Sequence, residues 1–411
     1  IKFQPKADQP RADKIIIEHT AANPNKSLHI GHLRNAILGD SLAKIYAFDG
    51  ANLEIQNYID DTGLQVAHTV LGLVAIKEKW FFDAPKQKSK QPLDEYYSDV
   101  YVWISEKLKE AKISDKIDLV AKEKEILHAV EEDKGNYAEL AKKVVKEMLG
   151  AHLRTLQRLN IEYDLLVRES DLLRSGLWEK TFQKLKKSPK FVLEKSGINK
   201  GCWVLKYGDS KEDKILIRAD GTLVYTAKDI AYHLWKFGLI PDLFKYQKFS
   251  KQPSGKTLFV TSFKGKKYQF AKADKIINVI DITQSYPQKV VRDTLKILGF
   301  LKAYKNYCHL AYEQVLLSAK SAQELGMSIK NNKNFYKMSG RAGIDMKANH
   351  LIDEMVSTIR KHKDLRGDPK DIAYGAVRFY LLSQRAGQRL IFDIDRALNT
   401  TGKSGVCLLY T

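Results

Sequence analysis

The segment 14–59 constrains the fold more than any other part of the chain. The β-branched run KIIIEHT at 14–20 predicts a buried strand. Apolar residues then recur at helical spacing over 28–45, and Asp49-Gly50 is a typical helix stop. The run NLEIQNYI at 52–59 predicts a second strand. A strand, a helix and a second strand in this order form a βαβ unit, so we expect a parallel sheet.

The rest of the chain predicts an interrupted α/β scaffold. Long charged helices dominate 81–195, strand-like runs return over 196–345, and 346–411 is helical again. One of the helices expected after the last strands covers 312–325. We therefore predict an α/β fold in which a Rossmann-type parallel sheet is formed by 1–80 and 196–345. A mostly helical insertion and a helical C-terminal part complete it.

The charge balance points to a polyanionic partner. Lys and Arg number 69 against 49 Asp and Glu, a formal net charge of +20. Such an excess favours nucleic acid or nucleotide phosphates, and the alternative is a basic surface that serves solubility. In 241–275, nine lysines accompany two aspartates and interleave with aromatic residues. This pattern is typical of an RNA contact or of a solvated hairpin whose aromatic side chains pack inward.

Cysteine usage and hydropathy exclude several classes of protein. The three cysteines, Cys202, Cys308 and Cys407, are far apart and form no CxxC pair. Neither a disulfide framework nor a zinc ribbon is expected, and a reducing, cytoplasmic compartment fits. No apolar run approaches the roughly 18 residues of a membrane span. The chain starts without Met and both ends stop inside patterned sequence, so we expect a piece of a longer protein.

The loop-to-helix junction at 23–39, NPNKSLHIGHLRNAILG, carries candidate chemistry. A helix N-terminus presents free N–H groups and partial positive charge, which suit phosphate. His29 and His32 share one face of the first turn, Gly31 permits close approach, and Lys26 adds a cation. The alternatives are two surface histidines or a metal site, although no third ligand stands at a plausible spacing.

Two short signatures give the chain a family resemblance. HIGH at 29–32 and KMSGR at 337–341 resemble the two signatures of class I aminoacyl-tRNA synthetases. Further segments resemble arginyl-tRNA synthetases over nearly the whole chain: EHTAANPNKSLHIGHLRNAILGD, QNYIDDTGLQ, GTLVYTAKDIAYHLWKFG, NVIDITQSYPQKVVRDTLKILGF and FDIDRALNTTGKSG. The resemblance implies that 1–80 and 196–345 form the catalytic domain. It also implies that 346–411 includes the stem-contact region and the start of an anticodon-binding helical domain.

The resemblance implies an arginine pocket made of Glu18, Asn23, Tyr225, Asp229 and Gln284. In the family, residues at the first four positions contact arginine and the glutamine reaches its α-amino side. A guanidinium is planar, permanently charged and rich in donors, so two carboxylates and a phenol in fixed positions would select it over lysine.

The resemblance also implies an ATP site formed by both signatures, with the residues His29, Gly31, His32, Lys337, Met338 and Ser339. The catalytic roles fall to Lys26, His29 and His32. The chain departs from the class at Gly340, where a lysine usually steadies the pyrophosphate, and family members without that lysine carry one before HIGH. Lys26 fits that role. Ala342 replaces a second expected lysine.

The implied activity is ATP-dependent ligation of arginine to tRNA(Arg) through arginyl-adenylate. The implied cofactors are ATP and the Mg²⁺ that accompanies it, with no metal held by the protein itself. The implied partners are arginine, ATP and tRNA(Arg), the last needed even for the first step, and a monomer without membrane contact is expected. One alternative is a degenerate or truncated paralogue that binds these ligands without full charging. Another is a HIGH-type nucleotidylyltransferase, which would not need Glu18, Tyr225 and Asp229 together.

Overall fold

The structure is a computed structural model that describes residues 13–110, 118–207, 213–329, 333–338, 345–361 and 367–399. The positions Ser339, Gly340, Ala342 and Cys407 lie outside these ranges. The helices are α1 Ile30–Phe48, α2 Leu64–Lys77, α3 Leu93–Glu110, α4 Leu119–Glu132, α5 Gly135–Arg158, α6 Glu169–Arg174, α7 Leu177–Leu185, α8 Tyr225–Lys236, α9 Ser285–Ile297, α10 Leu301–Asn306, α11 Ala319–Glu324, α12 Ala348–Arg360, α13 Pro369–Leu382 and α14 Ile394–Leu398.

A seven-stranded sheet forms the scaffold, in the order β10-β9-β1-β2-β3-β8-β7. Its strands are β1 Lys14–Glu18, β2 Asn52–Ile59, β3 Leu165–Arg168, β7 Lys245–Lys251, β8 Thr257–Ser262, β9 Lys275–Asp281 and β10 Tyr307–Tyr312. Strand β1 pairs in parallel with β2 and β9, β9 with β10, and β3 with β8. Only the β7–β8 pair is antiparallel among the pairings described. The predicted α/β fold with a parallel sheet is confirmed.

The order of the strands creates a switch point at β1. The chain continues from β1 to β2 on one side, while β9 pairs with β1 on the other. Open α/β sheets bind ligands beyond the carboxyl ends of strands at such a point. Glu18 is the last residue of β1 and is in register with Asn278 of β9.

The chain divides into two compact units. The first comprises the described residues up to His19, 39–58 and 163–312. It contains the seven-stranded sheet and a smaller antiparallel sheet of β4 Phe191–Leu193, β5 Trp203–Leu205 and β6 Lys214–Ile217. Its core contains large buried aromatic residues such as Tyr232 and Trp235 of α8.

The second unit comprises 20–38, 59–162 and the described residues from Glu313 onward. The helices α2 to α5 pack together there, with Tyr97 and Met148 in their shared core. A three-stranded sheet joins β11 Val315–Ser318, β12 Phe335–Lys337 and β13 Leu390–Phe392.

The predicted helix over 312–325 is wrong in its first half. Residues Val315–Ser318 form β11, which lies between an antiparallel β12 and a parallel β13, and only α11 is helical. A short apolar run is equally compatible with a strand, and pairing on both sides decides it here.

The basic aromatic segment 241–275 is built around the β7–β8 hairpin. Phe244 and Tyr246 are buried, and the Tyr246 hydroxyl donates to Asp242 Oδ2 at 2.9 Å. The inward-packing alternative therefore describes these aromatic side chains. Lysines along β7 lie at the end of the sheet order, where charge discourages pairing with another strand.

Among the helices in the described ranges, none is both long and apolar enough to cross a membrane. The two cysteines within those ranges, Cys202 and Cys308, carry free thiols.

Candidate active site

The residues predicted to contact substrate are distributed over both units. Glu18, Tyr225, Asp229 and Gln284 belong to the first unit. The second unit holds the others that the structure describes: Asn23, Lys26, His29, Gly31, His32, Lys337 and Met338.

Glu18 ends β1 as a buried carboxylate at the switch point. Its Oε2 atom forms an ion pair with Nζ of Lys236, the last residue of α8. The Lys236 ammonium is fully buried and also donates to Asn278 Oδ1 at 3.1 Å. Sheet register and helix packing therefore fix the orientation of Glu18.

His233 completes this buried cluster as a neutral ring. Its Nδ1–H donates to the backbone carbonyl of Asp229 at 2.7 Å, so Nε2 must accept, and Asn278 Nδ2 lies 2.6 Å from it. Burial, followed by the charge of Lys236, lowers the pKa of His233 well below its usual value. Because His233 is neutral, Lys236 is the cation of this cluster that pairs with Glu18.

One stripe of α8 carries the predicted specificity residues. Tyr225, Asp229 and Lys236 are spaced i, i+4 and i+11 and share a helix face. Tyr225 is 74% exposed, and Lys228 Nζ lies 5.2 Å from its ring centroid. Burial, followed by the nearby charge of Glu18, raises the pKa of Asp229 to about 7. The predicted pocket residues therefore include one carboxylate with a cationic partner and one whose pKa lies near neutrality.

Gln284 stands in a different environment from the rest of the pocket. It is exposed at the end of a short 3₁₀ turn, Ile282–Gln284, directly before α9. The Asp281 carboxylate caps that turn by accepting from Thr283 N–H at 2.8 Å. The buried glutamine nearby is Gln288, which accepts hydrogen bonds from Tyr307 OH and Asn278 Nδ2.

The loop that leads to the HIGH signature is held by three helices of its own unit. Ser27 N–H donates to Ser98 Oγ of α3 at 2.7 Å, and the Lys26 carbonyl accepts from His152 Nε2 of α5 at 2.8 Å. The Leu28 carbonyl accepts from Ala348 N–H of α12 at 2.8 Å. The position of Lys26 is therefore fixed through its backbone.

His29 and His32 cap the start of α1 reciprocally. The Nδ1 atom of His29 accepts from the N–H groups of Gly31 and His32 at 3.1 and 3.4 Å. The Nδ1 atom of His32 accepts from His29 N–H at 3.2 Å. The two rings stack with centroids 3.7 Å apart. Because both Nδ1 atoms accept, both rings carry their hydrogen on Nε2.

Electrostatics keep both rings uncharged. Burial, then the charge of Lys26, lowers the pKa of His29 to about 4. The pKa of His32 falls well below its usual value through burial and then through His29, His152 and Lys26. At neutral pH the pair therefore presents two Nε2–H donors rather than transferable protons.

The free backbone donors predicted at this helix start are already engaged. Ile30 N–H donates to Met346 O at 3.0 Å, Gly31 and His32 donate to the His29 ring, and Leu33 donates to His29 O at 3.1 Å. The histidine caps satisfy groups that a helix start otherwise leaves unpaired. Phosphate recognition through these N–H groups is thus not favoured. The Nε2–H groups of His29 and His32 remain as donors for a ligand.

Gly31 has no room for a side chain. A Cβ atom there would lie 2.9 Å from His29 Cε1 and 3.6 Å from Met338 Cε. Met338 of the second signature thus packs beside the first, while Lys337 ends β12 as an exposed residue. Within the second unit, the structure thus brings Met338 close to Gly31.

Two features of the site escaped prediction. Asn25 is fully buried, and in the described part of the chain neither its Oδ1 nor its Nδ2 has a hydrogen-bond partner. Lys236 and His233 are the other omission, although their spacing of i+7 and i+4 from Asp229 is a readable signal.

Within the described ranges, no group of three or more His, Cys, Asp or Glu side chains could hold a metal ion. The His29–His32 pair has its Nδ1 atoms turned to the backbone, which leaves it unsuited to a chelating role.

Comparison with known proteins identifies relatives over almost the whole chain. The chain is 34% identical to an arginine–tRNA ligase of Thermococcus sibiricus and 35% identical to one of Pyrococcus furiosus. Each alignment covers 97% of this chain, which spans 62% of the relative. The arginyl-tRNA synthetase structure of Thermus thermophilus superposes with a TM-score of 0.79 at 32% identity, covering 98% of this chain and 64% of that one.

The family model described as tRNA synthetases class I (R), catalytic domain, matches residues 2–237. That match includes the HIGH signature, the end of β1 and all of α8. Because it extends over more than half of the chain, the chain belongs to the class I arginyl-tRNA synthetase catalytic-domain family.

Proposed function

We propose that the chain activates arginine with ATP and transfers it to tRNA(Arg). The observation that carries the proposal is the pair of neutral imidazole rings in the HIGH signature, whose Nδ1 atoms accept from the backbone and whose Nε2–H groups are left as donors. The names of the relatives support the same activity. We further propose that the protein acts in the cytoplasm as a monomer.

In the first step, an oxygen of the arginine carboxylate attacks the α-phosphorus of ATP. The bond from that phosphorus to the bridging oxygen breaks, and pyrophosphate leaves. No proton moves, so the site needs positioning and charge stabilisation rather than an acid. The Nε2–H groups of His29 and His32 are proposed to donate to ATP, and Met338 to line its adenine end with Ser339. Lys337 is the last residue of β12, directly before Met338.

Lys26 is proposed to oppose the negative charge of the leaving pyrophosphate. It would replace the lysine that usually stands at the position of Gly340. Its charge already acts on both histidines and on Asp345. Mg²⁺ is proposed to enter on the phosphates of ATP, where it would neutralise charge.

In the pocket, Glu18 and Asp229 are proposed to receive the guanidinium, with Tyr225 and Asn23 completing the contacts and Gln284 at the α-amino side. Each charge-assisted hydrogen bond of this kind contributes roughly 1.5–3 kcal/mol. In the second step, the terminal ribose hydroxyl of tRNA attacks the arginyl carbonyl carbon. The bond from that carbon to the bridging oxygen breaks, AMP leaves with that oxygen, and the hydroxyl proton is released to solvent.

Arginine-dependent ATP–pyrophosphate exchange, measured with and without tRNA(Arg), tests the proposal. We expect exchange that requires tRNA and is specific for arginine. Absence of exchange even with tRNA would contradict the enzymatic activity, and exchange with a different amino acid would contradict the substrate.

Removing the imidazole in His29→Ala should lower the exchange rate at least tenfold, or about 1.4 kcal/mol of barrier. The matched control is His128→Ala on α4, whose ring is exposed and should be dispensable. Equal rates for both variants would remove His29 from the mechanism.

Lys26→Ala should also lower exchange at least tenfold, because Lys26 is the side chain proposed to oppose the charge of the pyrophosphate beside Mg²⁺. The exposed Lys124 of α4 provides the control for general loss of charge. If Lys26→Ala behaves like Lys124→Ala, Lys26 does not replace the missing lysine.

A further inference from the structure

Lys236 is a fully buried lysine that contacts the predicted arginine-binding residue Glu18. Its Nζ atom pairs with Glu18 Oε2, donates to Asn278 Oδ1 at 3.1 Å, and lies 3.4 Å from His233 Nε2. Two of the three ammonium donors are used by the two oxygen acceptors, whereas the single Nε2 lone pair of His233 already accepts from Asn278 Nδ2 at 2.6 Å. The ring of Tyr232 lies 4.1 Å from Nζ and covers it.

Burial makes the charge of Lys236 necessary for Glu18. A buried carboxylate is stable as an anion only when it is paired, and removing one partner of a buried ion pair is strongly unfavourable. Burial lowers the pKa of Lys236, and the charge of Glu18, followed by that of Asp229, opposes the lowering. The direct ion pair with Glu18 Oε2 is the contact through which Lys236 offsets the carboxylate charge at the end of β1.

The pairing also leaves part of Glu18 available. Lys236 engages Oε2, whereas Oε1 makes no hydrogen bond or ion pair with the described residues. One oxygen is therefore held by the protein while the other can receive a donor from a ligand. A fixed carboxylate orientation is what geometric selection of a planar guanidinium requires.

We propose that Lys236 is a positioning residue of the arginine pocket, which holds Glu18 ionised and oriented so that its second oxygen binds the guanidinium. This inference rests on the proposed function, because it assumes that Glu18 receives arginine. Lys236 touches no reacting atom and acts through Glu18 alone.

A double-mutant cycle on the full chain tests this dependence. Arginine affinity is measured by calorimetry for the wild type, Lys236→Met, Glu18→Gln and the double variant, with ATP affinity as the measure of an intact fold. We expect Lys236→Met to weaken arginine binding at least tenfold in the wild-type background. In the Glu18→Gln background the same change should cost less than threefold, because coupled residues are not additive.

Further variants keep the result decisive. Lys236→Gln enters the same cycle if the methionine variant fails to fold, since its amide retains donors without the charge. The exposed Lys248→Met of β7 controls for a general change in net charge and should bind arginine as the wild type does.

An equal loss in both backgrounds, or no loss in either, would overturn the positioning role while arginine binding by the wild type stands. A wild-type chain that binds no arginine would overturn the proposed function and this inference with it. A loss of ATP affinity in step with arginine affinity would also overturn the inference, because it indicates a general structural role.

Discussion

Gly31→Ala separates the position of the His29 ring from the stability of the fold. The new Cβ atom would lie 2.9 Å from His29 Cε1, whereas ordinary contact begins at 3.4 Å. The ring must therefore retreat by about 0.5 Å, and it cannot move toward His32, whose stacked ring is 3.7 Å away between centroids. We expect His29 to rotate out of its capping position.

Two opposing contributions to the free energy of unfolding are expected, whereas the exchange rate should only fall. Replacing a helical glycine by alanine contributes up to about 1 kcal/mol to the free energy of unfolding. Losing a side-chain cap costs about 1 kcal/mol. Stability should thus stay within about 1 kcal/mol of the wild type. Displacing one hydrogen-bond donor should slow ATP–pyrophosphate exchange by roughly 10- to 100-fold.

Gly150→Ala on α5 is the matched control. A Cβ atom there would meet only the terminal Nη1 of Arg154, at 3.3 Å, and that flexible group can move aside. We expect a gain of about 1 kcal/mol in unfolding free energy and unchanged exchange. Denaturant unfolding and exchange kinetics on both variants give the comparison. Full exchange activity in Gly31→Ala, or an equal loss of activity in Gly150→Ala, would refute the reasoning.

Two further predictions concern a buried amide and a titrating carboxylate. Asn25→Leu should raise the free energy of unfolding by about 1 kcal/mol, because an unpaired buried amide costs roughly 1–3 kcal/mol. The variant should also lower exchange if that amide meets substrate. A melting temperature below that of the wild type would contradict the expected gain in stability. Arginine affinity should rise with pH up to about 7 and then level off, because the raised pKa of Asp229 leaves its carboxyl group protonated, and unable to attract a cation, below that value. Calorimetry in buffers of different ionisation enthalpy should detect the released proton, and Asp229→Asn should abolish it.

Local periodicity was sufficient for the first βαβ unit. The strand β2 has the predicted bounds Asn52–Ile59, and α1 ends at Phe48, directly before the predicted stop at Asp49. These elements follow from the spacing of apolar residues and from a glycine with positive φ at position 50. No distant pairing is needed to define them.

Elements defined by distant pairing were not predictable in the same way. The run Val315–Ser318 becomes a strand because Leu390–Phe392, more than seventy residues later, pairs beside it. The buried cluster at Glu18 likewise depends on its register with Asn278, a separation of 260 residues. A single sequence without homologues contains no local signal for either pairing.

The capping of α1 shows why residue types alone could not predict which donors this junction leaves available. A histidine pair at a helix start suggested free N–H groups beside two imidazole rings on one helix face. In the structure, each ring uses Nδ1 to satisfy backbone donors, and burial keeps the rings neutral. The proposed adenylation moves no proton, so a neutral ring with one fixed Nε2–H donor serves it better than an imidazolium that would also repel Lys26. The same hydrogen bonds that stabilise the helix start therefore determine which atom of each histidine can meet a nucleotide.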